Sequence, residues 1–111
     1  MDFTKVTDED LTLLKNSLRI DGNDDDLILK KAIITARKNI VGEIGNTIST
    51  FYDNNDEFEW TTTLLASHYY RNRSATADTQ KFTTPLAYND LILALKENYL
   101  IAVNNEVTSD G

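Results

Sequence analysis

Apolar residues recur at helical spacing in four stretches of this chain, and polar segments separate the stretches. The longest runs from Asp24 to Ile44 and predicts a helix of roughly 30 Å. One side of that helix has an apolar residue every three or four positions, so we expect it to face the core. This side consists of Leu29, Ala32, Ile33, Ala36, Ile40 and Ile44.

Polar residues between the first two stretches predict where the helices begin and end. Thr7, followed three residues later by Asp10, predicts a capping box at the start of the first helix. Gly22 is expected to take the left-handed conformation that ends this helix. Asn23 or Asp24 is expected to cap the long helix, which predicts a tight acidic turn between the two.

A third helix is predicted from Phe58 to Arg73, after a polar connection over residues 46–57. Phe51 and Tyr52 lie in the middle of that connection and are expected to anchor it to the core. The side of the helix that we expect to face inward carries Thr61, Leu64, Leu65, His68, Tyr69 and Asn72. Thr63 and Ser67 are expected to point elsewhere.

The fourth helix is predicted to open at Thr84 and Pro85, because threonine is a common N-cap and proline is favoured at the first helical position. Residues 74–84 before it are small and polar and predict a long loop. The inward stripe of the helix is Tyr88, Leu91, Ile92, Leu95 and Tyr99. Residues 100–103 either continue the helix or form a short strand, and residues 104–111 are expected to be a disordered tail. The flexible C-terminal segment is accordingly taken as 101–111.

These elements predict one all-α domain over residues 1–111, with no second domain and no internal repeat. We expect a small bundle of about four helices around one long central helix. The ordered core is expected to cover about residues 7 to 100.

Composition limits the function classes further. The chain has no cysteine, which excludes disulfides and thiolate metal sites. Its apolar runs are far shorter than the roughly 20 residues that a membrane-spanning helix needs. The N-terminus is acidic and without helical period, unlike a signal peptide. We therefore expect a soluble protein in the cytoplasm, with no membrane partner.

Acidic residues outnumber basic ones by 18 to 11, which gives a formal net charge of −7. Because proteins bind duplex DNA largely by neutralising phosphates with Lys and Arg, this charge argues against sequence-specific DNA binding. Six of the basic residues lie in two groups, one on the long helix and one at the end of the third: Lys30, Lys31, Arg37 and Lys38, then Arg71 and Arg73.

The acidic turn has several of the carboxylates of a calcium-binding loop. Counted from Asp21, the sixth position needs glycine and has Asp26, and the twelfth needs glutamate and has Ala32. The calcium motif therefore fails at two essential positions. Capping of the long helix and favourable interaction with its dipole are the preferred interpretation of these acids.

Few residues suggest catalysis. The chain has one histidine, His68, and neither a nucleophile elbow nor a phosphate-binding glycine loop. We interpret His68 as a hydrogen-bonded residue of the core, with a general base as the alternative. The sequence thus predicts no enzyme, no catalytic residue, no bound metal and no cofactor.

A second apolar stripe lies on the opposite side of the long helix. Leu27, Ile34 and Val41 follow each other at intervals of seven and are flanked by basic residues, namely Lys30, Lys31, Arg37 and Lys38. One interpretation is that another helix of the same chain covers this seven-residue stripe. The other is a subunit interface, since a narrow apolar stripe bordered by charge is typical of helices that pair with a partner.

The order of these pieces resembles a known family. LKNSLRIDGNDDD, the long helix LILKKAIITARKNIVGEIG, LLASHYYRNR, a polar gap and TPLAYNDLILALK occur in that order. This arrangement is similar to the small head-tail connector proteins of tailed bacteriophages, a family also described as phage DNA-packaging proteins. The resemblance covers about Leu11 to Lys96, and its motifs are informative through their order and spacing.

The resemblance implies a structural virion protein that forms a homo-oligomeric ring beneath the phage portal protein. The ring would extend the DNA channel, provide the docking surface for a tail or head-completion (stopper) protein, and help to retain the packaged genome. Double-stranded DNA would pass through without sequence-specific binding. The protein would then lie at the head-tail junction of the virion, and in the host cytoplasm during assembly, in a free phage or a prophage.

Within this framework, the seven-residue stripe and its four basic flanks are the predicted subunit interface. A neighbour's acidic residues, 8–10 or 24–26, are its expected complement. The residues that we expect to contact the portal or the channel are Thr79, Gln80, Lys81, Leu100, Ile101 and Val103. The alternative function is a small helical interaction or regulatory module that acts as a monomer or dimer.

Overall fold

The computed structural model describes residues 1–72 and 86–109, without the side chains at 49, 86 and 106–109. Its elements are helix α1 (Asp8–Leu18), helix α2 (Asp26–Ile44), a short 3-10 helix (Ser49–Tyr52), helix α3 (Asp56–Arg71) and helix α4 (Leu86–Ser109). No strand occurs in the described part of the chain. The all-α bundle of four helices is therefore confirmed.

The predicted capping box opens α1. The backbone N–H of Asp10 donates to the Thr7 hydroxyl at 3.1 Å, and the Thr7 N–H donates to the Asp10 carboxylate at 3.0 Å. The prediction for the other end is wrong, because Arg19 and not Gly22 takes the left-handed conformation, with φ of 60°. This backbone lets the N–H groups of Arg19 and Ile20 reach carbonyls of the last turn, which satisfies them without a glycine.

The acidic turn ties α1 and α3 to the start of α2. The N-cap residue of α2 is Asp25, and its side chain makes no capping hydrogen bond. The prediction that Asn23 or Asp24 caps this helix is therefore wrong. Lys15 of α1 donates to Asn23 at 2.9 Å and pairs with Asp26, while the Tyr70 hydroxyl of α3 donates to Asp25. These polar groups hold helices together instead of closing a helix end.

Helices α2 and α3 form the central pair, and each also packs against α1 and α4. The predicted core side of α2 is confirmed. Leu29, Ala32, Ile33, Ala36 and Ile40 are buried, and Ile44 is half-buried. Burial of these side chains provides the main apolar stabilisation of the bundle.

Helix α3 is buried on more sides than its apolar pattern predicts. Thr63 and Ser67, which were expected to point away from the core, are buried because α1 covers that side. The Thr63 hydroxyl donates to the carbonyl of Glu59 at 2.9 Å, and Ser67 shares a hydrogen bond of 3.4 Å with Ser17 of α1. The hydroxyls of Thr63 and Ser67 can be buried because each finds a hydrogen-bond partner.

Aromatic rings close one end of the bundle. Tyr52 is buried, and its ring packs against the rings of Phe3, Phe51, Phe58 and Tyr99 at centroid distances of 4.7 to 6.4 Å. The prediction that Phe51 and Tyr52 anchor their connection is confirmed. Burial, together with the neighbouring Tyr99, raises the pKa of Tyr52 to about 12.

Helix α4 follows its predicted stripe and then continues. Tyr88, Ile92, Leu95 and Tyr99 are buried, with Leu91 half-buried. Of the two alternatives for residues 100–103, the continued helix is confirmed and the short strand is wrong. The tail predicted beyond them is wrong as far as Ser109, because the helix extends to that residue. Residues 86–109 contain neither glycine nor proline, so nothing in the backbone stops the helix earlier. The predicted loop 74–84 and the Thr84 and Pro85 cap lie outside the described residues.

Tyr99 fastens α4 to the end of α2. Its hydroxyl accepts hydrogen bonds from the backbone N–H groups of Thr47 at 2.7 Å and Ile48 at 3.2 Å. Its ring lies against Gly45, which ends α2 with φ of 128°. A Cβ atom at Gly45 would lie 3.1 Å from the Tyr99 ring. Both the backbone angle and the close approach therefore require glycine at this position.

Candidate assembly surfaces

Arg37 is a basic residue of α2 that stabilises the fold through contacts within its own chain. Its side chain is 4% exposed, and one Nη atom pairs with the Asp10 carboxylate at 2.9 Å. The other Nη atom donates to the carbonyls of Phe3 at 3.3 Å and Lys5 at 2.9 Å. Arg37 therefore holds the N-terminal segment and the start of α1 against α2.

The carboxylate of Asp10 serves two structural purposes at once. It accepts from Thr7 in the capping box and from Arg37. Burial by itself raises the pKa of Asp10, but the hydrogen bonds from Thr7 and Arg37 outweigh it and hold that pKa below its ordinary value of 3.8. The charged form of Asp10 is thus part of the folded state.

Two of the seven residues predicted for the subunit interface are not available at the surface. Val41 is 8% exposed, and Arg37 pairs within its own chain. The seven-residue stripe does not stay on one face because a step of seven residues falls about 20° short of two full turns of an α-helix. Val41 is thereby rotated from the direction of Leu27 towards the core.

The other five predicted interface residues line the outward side of α2. Leu27 is 68% exposed, Lys31 and Lys38 are exposed, and Lys30 and Ile34 are half-buried. Four of them, Leu27, Lys31, Ile34 and Lys38, are separated by four, three and four residues and form a continuous row, which we name the α2 stripe. Apolar and basic side chains alternate along it.

A corresponding row on α4 was not predicted from the sequence. Leu93 and Leu100 are 59% and 60% exposed, and the exposed acids Asp90 and Glu97 alternate with them. The spacing of three, four and three residues places all four on the side of α4 opposite its buried stripe. We name Asp90, Leu93, Glu97 and Leu100 the α4 stripe.

The residues predicted to contact the portal are placed differently. Ile101 and Leu100 are exposed near the end of α4, whereas Val103 is half-buried. Thr79, Gln80 and Lys81 lie outside the described residues. Trp60 of α3, which the sequence analysis did not single out, is 58% exposed and adds an aromatic side chain to the surface.

A protein-family model described as phage gp6-like head-tail connector protein matches residues 8–96. The match runs from the first residue of α1 into α4 and covers well over half of the chain. The chain belongs to the phage gp6-like head-tail connector family. Searches of curated proteins and of solved structures found no significant match.

Membership of the connector family confirms the resemblance inferred from motif order and spacing. The family is one of structural proteins, not known as enzymes, and it places this connector in the virion. It also implies contact with portal and tail proteins. The matched segment ends at Lys96, so the last part of α4, including Leu100 and Ile101, lies beyond it.

His68 of this connector is half-buried at the end of α3. Its Nδ1 atom lies 3.3 Å from the Asn72 amide, which also donates to the His68 carbonyl at 2.8 Å. The histidine thus takes part in closing the C-terminus of α3, as a structural residue does. It also borders a cleft between α2, α3 and α4. In this cleft the pKa of Tyr88 is raised, first by burial and then by the nearby carboxylate of Glu43.

Two further findings concern the described residues of the connector. Within 1–72 and 86–109, no three His, Cys, Asp or Glu side chains are grouped as a metal site requires. None of the helices in these ranges is both long enough and apolar enough to cross a membrane.

Proposed function

We propose that this connector assembles into a ring beneath the portal, extends the DNA channel and offers a docking surface to a tail or stopper protein. The observation that carries the proposal is the family match from α1 into α4. The exposed leucines of α2 and α4 support it, since apolar side chains of this size at a surface are typical of protein interfaces.

The charge of the connector suits a channel through which DNA moves. With a net charge of −7, the protein has few groups to hold phosphates along the path, and a lumen that bound them tightly would slow the DNA. Double-stranded DNA is therefore proposed to pass without sequence-specific binding.

Contact with the portal is proposed through the end of α4 and residues 79–81. Among the described side chains of α4, Ile101 is a large exposed apolar residue that lies outside the α4 stripe, so it is the first residue to change. Ile101→Ser is expected to weaken binding to portal rings and to leave the fold intact, because the side chain is 58% exposed. Truncation before Tyr99 is unsuitable, since it would remove the hydrogen bonds to Thr47 and Ile48.

Mass and symmetry test the proposal directly. Light scattering and negative-stain imaging, with and without portal protein, should show rings of the connector in solution or on the portal. Assembly driven partly by opposite charges should weaken as salt rises, because salt screens exposed ions. A connector that stays a monomer or dimer at low salt and does not bind portal rings would contradict the proposal and favour the interaction or regulatory module.

A further inference from the structure

The α2 stripe and the α4 stripe have the same pattern with opposite charge. Leucine or isoleucine alternates with lysine on α2 and leucine alternates with aspartate or glutamate on α4. The two rows are about 16 Å and about 15 Å long at 1.5 Å per residue. The two rows are therefore similar in length and complementary in charge.

The two stripes do not pair with each other inside one chain. Helices α2 and α4 contact each other through their buried sides, and both stripes point away from the core. Lys31, Lys38, Asp90 and Glu97 form no ion pair with any other residue in 1–72 or 86–109. Both stripes are therefore available to a second copy of the chain.

We propose that the α4 stripe of one connector subunit packs antiparallel on the α2 stripe of the next. This inference rests on the proposed ring and names the surfaces that build it. In this arrangement Leu27 faces Leu100 and Ile34 faces Leu93. Lys31 then faces Glu97, and Lys38 faces Asp90, so all eight residues find a partner of matching character.

The antiparallel direction follows from exposure. A parallel arrangement with the same charge matching would place Leu100 opposite position 41, where the valine is buried and offers no surface. The antiparallel arrangement uses every member of both stripes.

The contact joins two different surfaces and therefore leaves one stripe of each kind open at the ends of any row of subunits. Such a heterologous contact closes into a ring when the rotation between subunits allows it. Exposed ion pairs contribute little individually, so the acids and lysines mainly select direction and partner while the leucines and isoleucine contribute apolar contact. This division explains why charged and apolar residues alternate.

Charge reversal tests the pairing. Lys31→Glu combined with Lys38→Glu makes both stripes acidic, and Asp90→Lys combined with Glu97→Lys makes both basic. Each double variant is expected to lose assembly by more than about tenfold, because like charges then face each other across the contact. Circular dichroism should show unchanged helix content, since all four positions are exposed.

Mixing the two double variants provides the decisive measurement. The acidic α2 stripe of the first variant then meets the basic α4 stripe of the second. At the next contact the basic α2 stripe of the second variant meets the acidic α4 stripe of the first, so assembly should return with alternating subunits. The matched control for the acidic double variant is Lys5→Glu with Lys96→Glu, which makes the same change of net charge at exposed positions outside both stripes. The control should assemble like the wild type, alone or on portal rings.

The outcomes separate this inference from the proposed ring. If both double variants form rings like those of the wild type, or if their mixture does not reassemble, the proposed pairing is overturned. The proposed ring function is not affected by either result. A wild type that assembles neither alone nor on portal rings overturns both.

Because the chain has no cysteine, a mixture of Leu27→Cys and Leu100→Cys chains gives an independent readout of the antiparallel direction by disulfide cross-linking. A cross-linking yield no greater than that of Leu27→Cys chains alone would overturn that direction.

Discussion

The two sides of α2 carry similar residues that do opposite things. On the inner side, Arg37 is buried, pairs with Asp10 and donates to two carbonyls of the N-terminal segment. On the outer side, Lys31 and Lys38 are exposed and form no ion pair with another described residue. The inner cation is part of the fold, and the outer cations are available to another molecule.

This difference shows that a basic residue beside an apolar stripe does not by itself indicate an interface. The position around the helix axis decides whether a basic residue stabilises the fold or remains available to a partner. Arg37 lies near the core side, and Lys38, the next residue, is rotated from it by about 100°. The inner side should therefore govern stability, and the outer side should govern assembly. Substitutions at neighbouring positions on the two sides test that separation.

The largest contrast is expected between two adjacent isoleucines. Ile33 is 3% exposed, so Ile33→Glu would bury an unpaired charge and should cost more than about 4 kcal/mol or prevent folding. Ile34 is half-buried on the outer side, so Ile34→Glu should cost about 1 kcal/mol and abolish assembly. Urea unfolding and light scattering measure the two effects. A folded Ile34→Glu protein with unchanged assembly would show that the outer side is not an interface.

The next contrast concerns the cations. Arg37→Met should cost about 3–5 kcal/mol, because it leaves the partly buried Asp10 without its partner and removes the hydrogen bonds to the N-terminal segment. Lys38→Met should change stability by less than about 0.5 kcal/mol, since the side chain is exposed. Chemical denaturation of both variants is the measurement. Equal losses would mean that Arg37 has no special place in the fold.

Two glycines of α2 provide a smaller contrast. Gly45→Ala should cost about 1–3 kcal/mol, because φ of 128° suits glycine alone and the new Cβ would press on Tyr99 at 3.1 Å. Gly42 lies within the helix with nothing near its Cα hydrogens, so Gly42→Ala should stabilise by about 0.5–1 kcal/mol. Thermal unfolding would show shifts of opposite sign. Shifts of the same sign would contradict the assignment of the two glycines.

The smallest expected effect is the dependence of stability on pH. The folded pKa of Asp10 lies below its ordinary, unfolded value of 3.8, so its contribution is present above that pH and is lost as pH falls through the lower, folded pKa. Asp10→Asn should therefore reduce the loss of stability below pH 4, whereas Asp8→Asn serves as an exposed control in the same helical turn. Acid titrations of both variants that run parallel to the wild type would argue against a charged Asp10 in the fold.

Much of the fold follows from the sequence. Periodicity alone identified the core side of α2 and the inward stripe of α4, because burial of apolar side chains dominates at those positions. The capping box was predictable since Thr7 and Asp10 act locally, three residues apart. Family membership was also within reach, through the order of motifs that are individually weak.

Other features depend on tertiary contacts that a linear pattern does not contain. The acids of the turn were assigned to capping, yet Lys15 and Tyr70 from other helices bind them. Ser67 is buried because α1 happens to cover it. Arg37 was placed in an interface because its partner, Asp10, is distant along the chain.

The α4 stripe was missed for a different reason. Its signal is present in the sequence, where Asp90, Leu93, Glu97 and Leu100 repeat at helical spacing. Periodicity identifies the buried stripe of this stretch, and the sequence leaves residues 100–103 open between helix and strand, so the outward leucines had no evident context. The extension of α4 to Ser109 supplies that context, since both leucines lie well inside a continuous helix.

The hydrogen bonds from Thr47 and Ile48 to Tyr99 have a thermodynamic consequence for association. They fix α4 on the bundle within the monomer, so the helix that carries Leu93 and Leu100 is ordered before a neighbour arrives. A segment that folds only on binding loses conformational entropy at that moment and weakens the complex accordingly. Here that loss belongs to folding, so in the proposed ring the subunits would meet as preorganised bodies and keep more of the free energy of their contact for association.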